Sequence, residues 1–180
     1  IGKLRFGEGQ YLETSLLEAG LAWTPWEFGA FFGSGEIPTA TGTRHRRSAP
    51  YQAYRTQDGY VTVGAGTQKM WVAFCEKVID QPEWLERPDY RTQALRVKHV
   101  DALERDIESV TTQHTTAHWV ALLDAVGIPG GPVFGYEQAL HDPHVQARKM
   151  VHDIDHPIIG PMKTLGLPIK SSGALGSIRQ

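Results

Sequence analysis

The sequence predicts an α+β fold, and three of its features support this prediction. The first is Asp58-Gly59, which lies between the β-prone runs Tyr51–Thr56 and Tyr60–Gly64. Asp-Gly between two such runs predicts a β-hairpin, because both residues tolerate positive φ. The second feature is a series of amphipathic helices after the hairpin, and the third is a set of short strands near the C-terminal end. A small sheet combined with several helices is typical of an α+β domain.

Three stretches after the hairpin have apolar residues at helical spacing. The first stripe is Met70, Trp71, Phe74, Cys75 and Val78, the second is Val100, Leu103, Ile107 and Val110, and the third is Trp119, Leu122, Leu123 and Val126. Gly127 is expected to end the third helix as its C′ residue, with Pro129 just beyond it. We therefore expect the hairpin to pack against the apolar faces of these helices.

A capping box marks the start of a helix near the N-terminal end. Ser15 can accept a hydrogen bond from the backbone of Glu18, whose side chain can reach back to Ser15, which predicts a helix from about Leu16 to Trp23. The following segment, Trp23–Phe32, is rich in aromatic residues and is broken by proline and glycine. A segment this apolar is expected to be buried against the chain or against a partner.

The segments after the third helix are shorter. A strand is expected at Gly130–Phe134, a short helix around Gln138–Arg148, and short strands and turns through Pro168. His141 and His144 in this region flank Asp142-Pro143, which has the signature of a turn or an N-cap.

These patterns divide the chain into three parts. Residues 1–48 are assigned to the end of a preceding large domain and an aromatic linker, residues 49–135 to a small α+β domain, and residues 136–180 to a return linker. Because the chain begins at Ile1 rather than at methionine, we expect it to be a piece of a longer or processed protein.

The composition excludes several classes of function. A net charge of −2 gives no basic footprint for nucleic acid. The single cysteine, Cys75, cannot form an internal disulfide, so a cytoplasmic location is expected. No apolar stretch approaches the roughly 20 residues that span a membrane, so no membrane association is expected.

A basic cluster in the long connection before the hairpin is the main candidate for ligand binding. Arg44, His45 and Arg47 follow Gly42 in a segment rich in glycine, threonine and serine. Guanidinium groups match the geometry of phosphate and carboxylate oxygens, so these four residues are predicted to bind an anionic substrate. The alternative is a solvated loop with a few positive charges.

Other chemistry-bearing residues favour structural roles. The eight histidines show no spacing typical of a zinc site, and His114 and His118 straddle a predicted helix start, so no metal is expected. Cys75 lies on an apolar stripe, which indicates a core residue rather than a nucleophile. Gly64-Ala65-Gly66 lacks the remaining residues of a phosphate loop and predicts a tight strand-to-helix connection instead.

An ordered series of segments resembles the C-terminal half of the family III (CaiB/BaiF-type) acyl-CoA transferases. The segments are Gly9–Ala19, Ala49–Val61, Trp71–Cys75, Arg91–Arg96, Trp119–Val133 and Leu140–Val145, followed by Gly160, Gly166, Pro168 and Ser171. They occur in the order and at the spacing of the family, and together they cover nearly the whole chain.

The resemblance implies a reaction in which CoA moves from an acyl-CoA to a free carboxylate, with no cofactor besides the CoA of the substrate. An aspartate attacks the thioester, and exchange proceeds through anhydride and aspartyl-CoA intermediates. In the family this aspartate precedes the segment that aligns with Gly9-Gln10, in a large Rossmann-like domain absent from this chain. The chain alone is therefore expected to be inactive, with no catalytic residue of its own, and an interlocked homodimer is expected.

Two alternatives remain open at this point. The related α-methylacyl-CoA racemases share the fold but place a glutamate near the position of Thr67, where this sequence has Thr67-Gln68. A non-catalytic interaction domain on the same scaffold is the other alternative, since a fold does not determine a function.

Overall fold

The computed structural model describes residues 2–170. The helices are α1 (Gly2–Phe6), α2 (Leu16–Ala22), α3 (Pro25–Ser34), α4 (Gln68–Ala73), α5 (Gln93–Lys98), α6 (Val100–Thr111), α7 (Thr116–Val126), α8 (Tyr136–His141) and α9 (Pro143–Ala147). The strands are β1 (Tyr51–Arg55), β2 (Tyr60–Gly64), β3 (Gly130–Pro132), β4 (Val151–His156) and β5 (Gly160–Leu165). None of these helices is long and apolar enough to cross a membrane. Small antiparallel sheets and several helices confirm the predicted α+β class.

The chain separates into two compact units. The first ends at Gly42 and contains α1 to α3, and the second begins at Thr43 and contains the remaining elements. The three-part division predicted from the sequence, with boundaries at 48 and 135, stays a prediction.

A three-stranded antiparallel sheet forms the centre of the second unit, in the order β1-β2-β3. The predicted hairpin is confirmed, with β1 and β2 in register from Tyr51 opposite Gly64 to Arg55 opposite Tyr60. The strand predicted at Gly130–Phe134 is shorter than expected. It ends at Pro132, whose ring nitrogen cannot donate to a neighbouring strand, so β3 is suited to the edge of the sheet.

One face of this sheet packs against the three predicted amphipathic helices. Val61 and Val63 point from β2 into a core that includes Trp71, Leu103 and Trp119. Leu103 is completely buried and Trp119 is 3% exposed, so the predicted packing is confirmed. The first stripe is not one α-helix, however, because α4 continues as a π-helical turn, Phe74–Val78, followed by a 3-10 helix, Pro82–Leu85.

The hairpin turn forms for a different reason from the one predicted. Within the described chain, neither Asp58 nor Gly59 has a positive φ. Residues 56–59 make a four-residue loop, in which the amide of Thr56 donates to the carbonyl of Gly59 at 2.9 Å. The Asp58 carboxylate accepts from the amide of Thr116 at 2.7 Å, which fixes the turn to the first residue of α7. The turn is therefore held by a tertiary contact.

The first unit contains helices that bury no side chain. The capping box at Ser15 is present, with both reciprocal bonds to Glu18. Pro25 interrupts the aromatic segment as expected, because α2 ends before it and α3 begins with it. Gly29, in contrast, lies inside α3 and does not break the helix. Proline suits the first helical position because its missing N–H would have no partner there. No residue of α2 or α3 is buried.

The C-terminal part of the second unit is built from two short helices and a hairpin. The helix predicted around Gln138–Arg148 is divided at Asp142, whose carboxylate accepts from the amides of His144 and Val145 and so caps α9. This confirms the N-cap predicted at Asp142-Pro143. Strands β4 and β5 pair in antiparallel fashion, and Gly160 has the positive φ of their connecting turn.

Candidate functional site

The predicted anion-binding residues lie where the chain enters the second unit. The segment Thr43–Pro50, which we call the basic loop, runs directly into β1. The Thr43 hydroxyl accepts from the amide of Ala53 at 3.2 Å, and the amide of His45 donates to the carbonyl of Tyr51 at 2.9 Å. Because β1 is an edge strand, these bonds cover part of its free edge.

Arg44 is held by two carboxylates on one face of α6. Its guanidinium donates to Asp101 at 2.6 Å and to Glu104, which lies three residues later and therefore on the same side of the helix. The hydrogen bond to Glu104 raises the pKa of Arg44 above its usual value. The Arg44 side chain retains 30% exposure, so it lies at the surface of the unit rather than in its core.

His45 shapes the tip of the basic loop. Its Nδ1 accepts a hydrogen bond from the amide of Arg47 at 3.1 Å, and its ring lies 5.1 Å from the ring of Tyr51. An accepting Nδ1 carries no proton, so any proton of the neutral ring is on Nε2. The Arg47 side chain is exposed at this tip.

The end of the basic loop is anchored to α5. The hydroxyl of Ser48 accepts from the side-chain amide of Gln93 at 2.9 Å, and the carbonyl of Ala49 accepts from Nε of Arg96 at 2.8 Å. Ser48 also lies against Gly66, where a Cβ would clash with its hydroxyl. The tight strand-to-helix connection predicted at Gly64-Ala65-Gly66 is confirmed, and Gly66 in it lies against the basic loop.

Arg96 is a fully buried cation that reasoning from residue types did not identify. Besides Ala49 it binds the carbonyl of Tyr90 at 2.8 Å and the side chain of Gln68 at 3.1 Å. Its guanidinium lies 4.8 Å from the centre of the Trp71 ring, a cation–π contact. Burial lowers the pKa of Arg96 to about 10. Its only signal in the sequence is its place in the segment Arg91–Arg96 that resembles the family.

Gly42 is the last residue of the first unit and precedes the basic loop in sequence. Its φ is +65°, a conformation that side chains with a Cβ adopt only with strain. No neighbouring atom would touch a Cβ at this position, so the requirement for glycine there is conformational.

The open face of the three-stranded sheet carries two adjoining cavities. They measure about 390 Å³ and about 500 Å³ and share Thr43, Ala53 and Val133. The floor of these cavities is made of small residues, since Ala53, Thr62 and Gly131 lie side by side across the three strands. The basic loop contributes Thr43 to this rim, so loop and groove adjoin within the second unit.

The other chemistry-bearing residues have structural surroundings. Cys75 is buried, which raises the pKa of its thiol to about 12 and makes it a poor nucleophile at neutral pH. His114 and His118 flank the start of α7 as predicted, and their rings stack 4.3 Å apart. Within residues 2–170, no three side chains of histidine, cysteine, aspartate or glutamate are grouped as a metal site.

The chain matches one known protein family along its whole length. The family model for CoA-transferase family III matches residues 1–180. The chain belongs to CoA-transferase family III. The resemblance found in the ordered sequence segments is thereby confirmed.

Curated relatives and a solved structure agree with this assignment. Human succinyl-CoA:glutarate CoA-transferase is 28% identical over 172 residues, which is 96% of this chain and 39% of the relative. Acetyl-CoA:oxalate CoA-transferase of Acetobacter aceti is 27% identical, over 94% of this chain and 42% of the relative. A CaiB/BaiF family protein from Brucella suis superposes with a TM-score of 0.73 at 26% identity, over 96% of this chain and 44% of that one. The chain thus spans about two fifths of the length of these proteins.

Proposed function

We propose that this chain is the C-terminal part of an enzyme that moves CoA between an acyl-CoA and a free carboxylate. The family match along the whole chain carries the proposal. It is supported by relatives whose names pair an acyl-CoA donor with an organic acid, glutarate in one and oxalate in another. The donor and acceptor are substrates, and no further cofactor is required.

The nucleophile of this reaction is proposed to be an aspartate outside the chain. A carboxylate that attacks a thioester forms an anhydride and releases the CoA thiolate, and attack of that thiolate on the aspartyl carbonyl then gives an aspartyl-CoA thioester and the free acid. The chain spans only 39% of its human relative, which leaves room for such a residue elsewhere. Cys75 is buried, and burial raises the pKa of its thiol, which also favours a nucleophile elsewhere.

The basic loop is proposed to supply positive charge to the anionic substrate. Arg47 is exposed at its tip, His45 holds the backbone of that tip, and Arg44 attaches the base of the loop to α6. Gly42, just before the loop, has the left-handed backbone conformation that glycine adopts without strain. Preorganised cations near a developing or transferred carboxylate stabilise it without further reorganisation.

A transferase is favoured over a racemase by the residues near Thr67. The Thr67 hydroxyl caps α4 by accepting from the amide of Met70 at 3.2 Å. The Gln68 side chain accepts from the buried Arg96. Neither residue carries a carboxylate that could remove a proton from the α-carbon of an acyl-CoA, and both have structural roles.

We propose that the whole protein is a cytoplasmic homodimer in which the aromatic segment of α3 lies in an interface. Trp26 is 63% exposed and Phe32 is 77% exposed in this chain, although both are large and apolar. Exposed apolar side chains at this density favour association. The single, buried cysteine agrees with a reducing compartment.

Activity assays with the chain alone and with a complete enzyme test this function. The 180-residue chain, incubated with succinyl-CoA and glutarate or with acetyl-CoA and oxalate, should produce no new acyl-CoA by mass spectrometry. A chain extended by its genomic upstream sequence should produce it. Epimerisation of an α-methylacyl-CoA by the extended protein would favour the racemase, and inactivity in both assays would favour an interaction domain. A CoA thioester on the 180-residue chain itself would contradict the proposal.

A further inference from the structure

We propose that Arg44 is a positioning residue that, with Asp101 and Glu104, clamps the basic loop to α6 so that Arg47 contacts the anionic substrate. We call Arg44, Asp101 and Glu104 the clamp. The inference rests on the proposed function of the loop, because it assigns the substrate contact within that loop to one arginine and a supporting role to another. It also makes the loop a fixed platform for the substrate.

The basic loop is attached at both of its ends. At its start, Thr43 binds the backbone of Ala53, and Arg44 binds Asp101 and Glu104. At its end, Ser48 binds Gln93, and Ala49 binds the buried Arg96. Between these anchors, the amide of His45 donates to the carbonyl of Tyr51, and Arg47, between His45 and Ser48 in sequence, is exposed.

The charges around Arg44 make it a poor direct ligand for an anion. Two carboxylates approach its single guanidinium, so the clamp as a whole carries one net negative charge. Asp101 is 71% exposed and would therefore face any anion that approached Arg44 from solvent. Like charges in that position repel. Arg47 is the exposed arginine whose backbone amide is fixed, through its hydrogen bond to His45.

The two possible roles of the clamp predict opposite effects of neutralising its carboxylates. In the Asp101→Asn/Glu104→Gln variant, two negative charges disappear beside the loop. If the carboxylates act only through their charge, an anion should bind more tightly. If they position the loop, the variant should bind the anion more weakly, because a loop that is ordered for about a third of the time raises an apparent dissociation constant about threefold.

The binding experiment uses free coenzyme A as the probe and the 180-residue chain. Amide chemical shifts of the loop, followed by NMR at low ionic strength, report the dissociation constant. We expect it to rise about threefold in Asp101→Asn/Glu104→Gln and to be unchanged in Glu76→Gln/Asp124→Asn. That control pair removes the same charge from exposed positions on other elements. Arg47→Ala should abolish the shifts, whereas tighter binding by the clamp variant would overturn the proposal.

Limited trypsin digestion tests the clamp independently of substrate binding. Arg44, Arg46 and Arg47 are trypsin sites, and cleavage follows the population of the opened loop. We expect cleavage at these sites to become about tenfold faster in the clamp variant, because the opened loop is more populated. Cleavage in the control variant should be unchanged. Should the double variant not fold, Glu104→Gln alone gives the same comparison, with a smaller increase.

The two readouts separate failure of the inference from failure of the proposed function. If the wild-type chain does not bind coenzyme A but the clamp variant is cleaved faster, the clamp exists and the substrate role of the loop is wrong. If the wild-type chain binds coenzyme A and neither binding nor cleavage changes in the clamp variant, the positioning role of Arg44 is wrong.

Discussion

Helices α3 and α7 are closely matched in local sequence features and differ completely in burial. They contain ten and eleven residues, each has a threonine at its N-cap, and each ends at a glycine with positive φ, Gly35 and Gly127. In α7, Trp119 and Leu123 are 3% and 1% exposed. In α3, no residue is buried, and Trp26 and Phe32 remain largely exposed.

The difference shows that burial depends on elements that are distant in sequence. Helix α7 lies against β2 and β3 and against the π-helical turn, which together cover its apolar side. Aromatic side chains of α3 contact one another, with the rings of Phe28 and Phe32 5.8 Å apart, but no residue of α3 is buried within its own unit. Most helical stability in proteins comes from such packing. We therefore expect α7 to depend on its own chain and α3 to depend on a partner.

Substitution of two aromatic residues in α3 should give the largest effect. In Trp26→Ser/Phe31→Ser we expect the dimer, or the complex with a large-domain half, to dissociate more than about a hundredfold more readily. Burial of each large aromatic side chain contributes roughly 1.5–3 kcal/mol. Sedimentation at micromolar concentration measures the association.

A matched variant separates α3 from general surface hydrophobicity. Tyr136→Ser/Ile158→Ser also removes two exposed apolar side chains, from α8 and from the β4–β5 turn. It should leave the association unchanged. A wild-type chain that is monomeric and unaffected by the α3 substitutions would refute the comparison, because α3 would then be stable without a partner.

The equivalent test in α7 should change the stability of the chain itself. Trp119→Ala removes a buried ring and its hydrogen bond to the carbonyl of Thr111 at 2.8 Å. Such a substitution should reduce the free energy of unfolding by about 3–5 kcal/mol. Phe32→Ala in α3 should reduce it by about 0.5 kcal/mol or less in the chain alone, as for an exposed site. Urea denaturation followed by far-ultraviolet circular dichroism measures both, and similar losses for the two variants would contradict the distinction.

Local signals in the sequence predicted the elements of both units well. The capping box at Ser15, the hairpin at Asp58-Gly59 and the C′ glycine at Gly127 are all present, because each depends on residues within a few positions of one another. The reason for the hairpin turn was wrong, since Asp58 acts through Thr116 and not through a positive φ. Fifty-eight residues separate that pair, so the contact has no local signal.

The residues of the candidate site were predicted from the sequence, but the contacts that hold the loop in place were not. Its basic residues were identified by residue type, and Gly42, Arg44, His45 and Arg47 stay predictions as substrate-binding residues. The partners of Arg44 lie 57 and 60 residues away on α6, where Asp101 and Glu104 resemble ordinary surface charges. The buried Arg96 was likewise hidden, because an arginine in an amphipathic segment normally indicates exposure.

Alkaline titration should distinguish the packed unit from the exposed one. Burial raises the pKa of Cys75 from 9.0 to about 12, and it also raises the pKa of Tyr54 and of Tyr90. Because the folded pKa of Cys75 is raised, its contribution to stability is complete below pH 9 and is lost as the pH rises toward 12. The packed unit should therefore become less stable between these values.

Cys75→Ala provides the measurement for this effect. The comparison is made between pH 9 and 10, because most of the titration of Arg96 lies above this range. Within it, the free energy of unfolding should fall less steeply with pH in the variant than in the wild-type chain. The slopes should differ by up to one proton, or about 1.4 kcal/mol per pH unit. Comparison of slopes removes the constant cost of the smaller core side chain. Equal slopes would show that the thiol titrates in the folded chain as it does in the unfolded chain.

The N-caps of α7 and α3 should give the smallest difference between the two helices. The Thr115 hydroxyl accepts from the amide of His118 at 3.4 Å, whereas Thr24 makes no capping bond and donates to the carbonyl of Leu21 instead. Loss of a capping bond costs about 0.5–2 kcal/mol, and the long bond at Thr115 favours the lower part of that range. Thr115→Ala should therefore lower the urea midpoint slightly. Thr24→Ala should leave it unchanged, because α3 is not part of the packed core that the urea transition reports. A larger loss from Thr24→Ala than from Thr115→Ala would mean that α3 is coupled to the folding of the chain, against the distinction between the two helices.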